Sequence, residues 1–356
     1  MPPGPRRRPL LPAAMTVQPE RDPNLVGSAA APAPAPALDV AYVRADSVDA
    51  LLAEQGTLAV LGFGAAAAHH EDPRYLHVPL QSHGPALQEV WRTSGTVRHG
   101  RHGRIAWAHD GRLGFGAIEV EEAGVDIEGA AAAAYAELQA FLRTSPTPHL
   151  LRTWNQIDAI TLGDQDDERY RRFCVGRVRG METLDVASLP AATAVGRRDG
   201  VRTLQVYWLA AHQPGMPVEN PRQVSAWRYP RQYGPQSPSF ARAMLPPADM
   251  RAPLLLSGTA AIVGHLSRHE GELLAQLDEI FANFEALLSA ARTQRPTLPA
   301  RLGPASRLKV YVRDLADLPV VERALHARLG DQVPRILLHA SVCRQELSVE
   351  IEGLHG

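Results

Sequence analysis

From residue 253 to residue 351 the apolar pattern alternates between two periods, and this constrains the fold more than any other feature of the chain. Residues 253–264 (PLLLSGTAAIVG) read as a buried strand with a polar interruption. Residues 272–292 carry Leu273, Leu277, Ile280, Phe284, Leu287 and Leu288 on one helical stripe. Residues 308–313 predict a strand, and 319–329 a helix with Pro319 in its first turn. Residues 336–341 and 347–351 predict two more strands. Strand, helix, strand, helix, strand, strand implies helices packed on one face of a mixed sheet. The earlier part repeats this order more loosely. Residues 56–63 predict a buried strand, and 104–107 with 112–120 a hairpin across Asp110–Gly111. Residues 129–142 predict an alanine-rich helix, 150–160 a strand, 169–179 a helix and 202–210 a strand. The expected fold is α/β (α+β), with two related halves side by side, 39–195 and 196–356. The Ala/Pro-rich stretch 1–38 is expected to be a disordered tail.

Several classes of function are excluded by simple counts. The net charge of −1 over 356 residues gives no field that would draw the chain to nucleic acid or to an anionic membrane. No apolar run approaches the ~20 residues of a membrane span. The two cysteines, Cys174 and Cys343, rule out a disulfide scaffold and a cysteine-rich metal site. Lys309 is the only lysine among 37 basic residues, so there is no phosphate-loop lysine. Any anion the chain recognises therefore meets arginine, whose guanidinium forks onto carboxylates. Near the start, Arg6, Arg7 and Arg8 precede a short apolar run broken by Pro12, too interrupted for a signal peptide. Met15 is an alternative first residue. A cytoplasmic location with free thiols is expected.

Most of the local motifs have ordinary readings. Residues 62–67 (GFGAAA) mimic a dinucleotide fingerprint, but His69, His70 and Pro73 stand where its helix would continue. His265 and His269 are four apart without a third ligand, which reads as a polar cluster at a helix start. His99 and His102 lie in a Gly/Arg stretch that reads as a solvated turn. No GxSxG elbow is present. Gly258, within Ser257–Gly258–Thr259, reads equally as a bulge or as a place where a ligand approaches the backbone.

Two segments carry more chemistry. Residues 220–242 (NPRQVSAWRYPRQYGPQSPSFAR) interleave Arg222, Arg228, Arg231 and Arg242 with Trp227, Tyr229, Tyr233 and Phe240. Guanidiniums with phenols and apolar rings suit a small cyclic dianion; a surface loop is the plainer alternative. Near the C-terminus Glu350 and Glu352 share one face of a predicted strand. A carboxyl in a partly apolar pocket has a raised pKa and can act as a general acid near neutrality; a solvent-facing edge glutamate is the alternative. Cys343 is seven residues before Glu350, so the two share a pocket only if a turn or bulge lies between them.

The last hundred or so residues resemble the YjgF/RidA-like fold, through SGTAAIVG (257–264), LKVYVRDLADLPVVERAL (308–325) and LSVEIEG (347–353). Beyond about residue 40, the chain resembles the chorismatase family more specifically. The cues are TWNQID (153–158), YRRFCVGR (170–177), the 220–242 block, SGTA, and CRQELSVEIEG (343–353). The resemblance implies an enzyme that cleaves chorismate and releases pyruvate. Glu350 matches the family's general acid. Gly258 and Cys343 match the branch that aromatises the ring to 3-hydroxybenzoate; a related branch also makes 4-hydroxybenzoate. Arg177, Tyr207, Arg222, Tyr229, Tyr233 and Arg242 are the expected substrate contacts. No metal or organic cofactor, nucleic-acid partner or membrane is implied, and a monomer is expected. The alternatives are hydrolysis of chorismate to a dihydroxycyclohexadienoate, a YjgF/RidA-like imine hydrolase, and a small-molecule-binding protein without catalysis.

Overall fold

The alanine run at 130–134 is the strongest helix-forming stretch in the chain, and it lies in the helix Ile127–Thr144. Asp126 caps that helix, its carboxylate accepting from the Gly129 N–H at 2.8 Å. The computed structural model describes residues 1, 4, 37–44, 47–65, 67–182 and 185–356. The tail expected over 1–38 therefore lies outside the described residues, apart from residues 1, 4, 37 and 38.

Two copies of one topology account for most of the chain. The first runs through strands Arg98–His102, Ile105–His109 and Leu113–Glu121, the helix Ile127–Thr144 and the strand His149–Asp158. It continues through the helix Arg169–Gly180 and ends in strands Ala191–Arg197 and Thr203–Ala211. The second runs through strands Met216–Val218, Ala243–Leu245 and Leu254–Thr259, the helix Leu273–Gln294 and the strand Arg307–Val312. It continues through the helix Leu318–Leu329 and ends in strands Arg335–His339 and Val349–His355. By first residue, the sheet orders are 191-149-203-113-105-98 and 335-307-349-254-243-216. These are the same order. In each copy the only parallel pair is the one bridged by the second helix, as a crossover requires, and its other neighbours pair antiparallel. A short strand, Gln81–His83, extends the second sheet at its 335 edge.

This repeat corrects the expected division at 195/196. That point falls inside the strand Ala191–Arg197, and Thr203–Ala211 still pairs with both Leu113–Glu121 and His149–Asp158. The first copy ends at Ala211 and the second begins at Met216. Residues 98–102, expected as a turn, form an edge strand. Its side chains are mostly exposed, so it shows no apolar alternation. Strands Asp39–Val43, Thr57–Phe63, Tyr75–Val78 and Gln88–Arg92 form a further four-stranded sheet, and the sequence reading found only the second of these.

The helices bury their apolar stripes as patterned. Leu277, Ile280, Phe284, Leu287 and Leu288 are all buried, packed against Val310, Val312 and Ile351 of the second sheet. Removing one such ring, as in Phe284→Ala, costs about 3–5 kcal/mol. A further core joins the sheets through Leu58, Trp91, Phe115, Trp154, Leu255 and Tyr311. Among the described residues, no helix is long and apolar enough to cross a membrane.

Candidate active site

A cavity of about 440 Å³ opens where the two copies meet. This is within the range typical of small-molecule sites, ~300–1,000 Å³. The first copy contributes Asn155, Cys174, Arg177 and Thr193 to its lining. The second contributes Tyr229, Tyr233, Phe240, Arg242, Gly258, Cys343, Arg344 and Glu350.

Glu350 lies on Val349–His355, a central strand paired with Tyr311 on one side and with the Leu254–Thr259 strand on the other. It is 5% exposed, so the solvent-facing alternative is excluded. Among the described residues nothing donates a hydrogen bond to its carboxyl. Burial, opposed by the nearby charges of Arg152 and Arg242, raises its pKa to about 8. The group is therefore a protonated acid at neutral pH.

Gly258 makes this placement possible. The bulge reading of the Ser257–Gly258–Thr259 stretch holds. The pairing register shifts between Leu256 and Thr259, and the glycine lines the cavity. A Cβ at residue 258 would stand 2.0 Å from Glu350 Oε1. Ser257 secures the bulge, its hydroxyl donating to Ala241 O at 2.6 Å and accepting from Ala192 N at 2.9 Å. The Gly258 N–H donates to Thr193 Oγ1 at 3.1 Å.

Two buried guanidiniums hold unused donors. Arg177, on the helix Arg169–Gly180, lies over the Tyr135 ring at 5.0 Å. Its Nε and one Nη have no hydrogen-bond partner among the described residues. Arg242 lies between the rings of Phe240 and Tyr229, 5.1 Å and 5.6 Å from their centroids. It donates to Val224 O at 2.9 Å and to the Tyr229 hydroxyl at 2.7 Å, and its Nε has no partner. Buried donors without acceptors cost free energy. Two such groups beside a neutral acid suit a dianionic ligand that is to be protonated.

The remaining candidates divide. Tyr229 and Tyr233 line the cavity from two 3-10 turns, Ala226–Arg228 and Arg231–Tyr233, and the residues just after them. Arg344 stacks over Tyr233 at 4.0 Å and donates to His265 O and Ser267 Oγ, both at 3.0 Å. A turn at 343–346 brings Cys343 back to the cavity wall, as the seven-residue offset required. Burial first and then Glu350 raise the pKa of the Cys343 thiol, which is therefore protonated. Burial pushes the Cys174 thiol up to about 12.

Tyr207 and Arg222 are not brought to the cavity. Tyr207 is 1% exposed, stacked on Trp154 at 4.8 Å, and its hydroxyl accepts from Lys309 Nζ at 3.3 Å. It belongs to the core because alternate residues of a strand face opposite sides, and this face is the packed one. Arg222 pairs with Glu279 at 2.6 Å and donates to Asn283 Oδ1 at 3.2 Å, which ties its loop to the helix Leu273–Gln294. Sequence reasoning did not single out Thr193, Asn155, Cys174 or Arg344. Asn155, Cys174 and Arg344 lay inside quoted motifs; Thr193 had no signal of its own. Among the described residues, no group of three or more His, Cys, Asp or Glu side chains could hold a metal ion.

Fold and cavity together define a class: a doubled α/β scaffold with a buried acid and two buried arginines with unpaired donors at the junction of its copies. A family model described as chorismatase FkbO/Hyg5-like, N-terminal, matches residues 89–210. A chorismatase of Streptomyces rapamycinicus is 36% identical over 277 residues, covering 76% of this chain and 82% of that protein. A 3-hydroxybenzoate synthase of Streptomyces hygroscopicus is 36% identical over 276 residues, covering 75% and 80%. The crystal structure of a chorismatase superposes with a TM-score of 0.80 at 30% identity, covering 90% of this chain and 99% of that one. The chain belongs to the chorismatase family.

Proposed function

We propose that the chain cleaves chorismate to pyruvate and 3-hydroxybenzoate, with Glu350 as the general acid. The observation that carries this reading is a protonated carboxyl without a hydrogen-bond partner among the described residues, facing a cavity that is also lined by two guanidiniums with unused donors. Relatives named chorismatase and 3-hydroxybenzoate synthase support the substrate and the product.

Chorismate is a ring dianion bearing an enolpyruvyl ether. Arg177 and Arg242 hold its two carboxylates through their free N–H donors. Fixing the ring in this way removes much of the entropic barrier. Glu350 gives its proton to the ether's methylene carbon, leaving an oxocarbenium-like centre. The bond from the ring to the ether oxygen breaks, and that oxygen leaves as the keto oxygen of pyruvate. The neighbouring ring hydroxyl oxygen bonds to the carbon the ether has left and gives its proton to the Glu350 carboxylate. The bridged oxide then opens at the oxygen's original carbon, the ring sheds a hydrogen as the oxygen regains one, and the aromatic ring carries its hydroxyl at the 3-position. No water is consumed. The neutral Cys343 thiol and the space at Gly258 line the wall beside the acid and steer the ring toward this internal route rather than attack by water. Tyr229 and Tyr233 flank the ring. Proton transfer and bond cleavage between these groups require no cofactor. Cys174 and Cys343, both free, fit a cytoplasmic enzyme, and a monomer suffices because both walls of the cavity come from one chain.

The test is to mix the purified protein with chorismate, follow pyruvate with lactate dehydrogenase and separate the ring products by chromatography. Pyruvate and 3-hydroxybenzoate in equal amounts are expected. Pyruvate with a non-aromatic diol would replace the internal route with hydrolysis, and no pyruvate at all would end the reading.

A further inference from the structure

We propose that Glu352 is a positioning residue for Glu350: it pins Arg152 and takes up its positive charge, so that Arg152 leaves the Glu350 carboxyl unpaired. This rests on the reading of Glu350 as the acid.

Glu350 and Glu352 share one face of the Val349–His355 strand, and Arg152 lies within electrostatic reach of both. Arg152 is wholly buried, with its guanidinium 4.7 Å from the Trp154 ring centroid. One of its Nη groups donates to Leu256 O. The other donates to Glu352 Oε2 and to Thr193 Oγ1. Glu352 is held just as firmly. Its carboxylate accepts from Trp154 Nε1 at 2.6 Å, Thr193 Oγ1 at 2.8 Å and the Tyr311 hydroxyl at 2.8 Å. Lys309 Nζ stands 3.1 Å away and has a second carboxylate, Glu89, at 2.9 Å.

The titratable groups facing Glu350 come from several elements. They are Arg152 from the His149–Asp158 strand, Arg242 from the 220–242 segment, Tyr311 from Arg307–Val312, Tyr170 from Arg169–Gly180, and Cys343 from the preceding turn. Of these only the two arginines favour the ionised carboxyl, and Arg152 is the stronger. Glu352 bonds directly to Arg152 and to Tyr311, so it orients two of the five groups. A guanidinium released from Glu352 would favour the ionised Glu350 carboxyl more strongly and lower its pKa, which would weaken Glu350 as a proton donor. Lys309 keeps Glu89 when Glu352 is neutralised, so Glu352→Gln does not strand it.

The readout is the pH dependence of kcat for pyruvate release. In the native protein the alkaline limb falls near pH 8, where Glu350 loses its proton. In Glu352→Gln the limb is expected about one unit lower, so turnover drops about fivefold at pH 8 and by less than about twofold at pH 6. Glu352→Asp keeps the charge and restores the limb. Arg152→Met moves it the other way, to higher pH, and carries the test by itself if Glu352→Gln is recovered unfolded. A limb unmoved in both variants, with rates reduced equally at every pH, would mean a merely structural role and overturn the proposal. Glu350→Gln, assayed beside them, separates the two failures. Full turnover in that variant removes the acid itself, whereas an inactive Glu350→Gln with an unmoved limb removes only the role of Glu352.

Discussion

The cavity around Glu350 and the polar core around Glu352 are two residues apart on one strand, and both bury a glutamate. Glu352 is wholly buried yet meets Trp154, Thr193, Tyr311, Arg152 and Lys309, all of them donors. Among the described residues Glu350 meets none at hydrogen-bond distance, and the effect of its burial is opposed by the charges of Arg152 and Arg242. Burial alone does not decide the chemistry of a carboxyl; the count of donors around it does. One glutamate is locked among donors and the other is a proton store. The bulge at Gly258 sharpens the contrast, because it withholds the side chain that would otherwise fill the space at Glu350.

The most severe way to break the contrast is Glu350→Gln, which keeps the shape and removes the transferable proton. Turnover is expected to fall about 10²-fold or more, with a native circular dichroism spectrum. Next in size is the loss of an unused donor pair. Arg177→Met should raise KM about tenfold or more, since a charge-assisted hydrogen bond is worth about 1.5–3 kcal/mol. An unchanged KM for chorismate would take Arg177 out of the anion site. Gly258→Ala then tests the space itself. Its methyl would stand 2.0 Å from Glu350 Oε1, so the carboxyl must move off its position. A loss of about tenfold in kcat is expected, together with a changed ratio of aromatic to hydrolysed product on chromatography.

How far the sequence revealed this depended on periodicity. The helices Leu273–Gln294 and Leu318–Leu329 and the central strands were legible because one face of each packs on a core. Arg98–His102 was not, because an exposed edge strand carries no alternation. The repeat was visible as an order of elements, but its seam was misplaced by a little over one strand. Nothing local marks where the sheet of the first copy takes its last partner, Thr203–Ala211, from beyond an exposed turn. At the site, Glu350, Gly258, Cys343, Arg177, Arg242, Tyr229 and Tyr233 converge on the cavity. Tyr207 and Arg222 do not, because their residue types fit the chemistry but their strand face and loop anchor aim them elsewhere. Arg344 and Thr193 were missed because their roles rest on contacts with segments distant in the sequence.

A smaller effect separates the two carboxyls thermodynamically. Between the ordinary carboxyl range and about pH 8, folded Glu350 keeps a proton that the unfolded chain has released. Folding binds that proton, so stability drains as pH rises through this window and levels off above it. Glu350→Gln lacks the titration. Its melting temperature relative to the native protein should therefore climb from pH 5 to pH 9, by roughly 2–4 kcal/mol of stability. A constant difference across that range would place the Glu350 pKa near its ordinary value and remove the basis for its role as an acid.

The least disruptive change, Tyr207→Phe, tests the far side of the comparison. The ring stays stacked on Trp154, and only the hydroxyl that accepts from Lys309 at 3.3 Å is lost. Lys309 retains Glu89 at 2.9 Å and Glu352 at 3.1 Å, so no charge is stranded. The expected loss is about 0.5–1.5 kcal/mol of stability, read in a urea melt, with kcat and KM for chorismate unchanged within about twofold. Were Tyr207 a substrate contact, KM would rise while the melt stayed put. The two outcomes differ on both measurements, and a rise in KM would extend the working site across the Trp154 ring into the region that Glu352 now keeps apart from it.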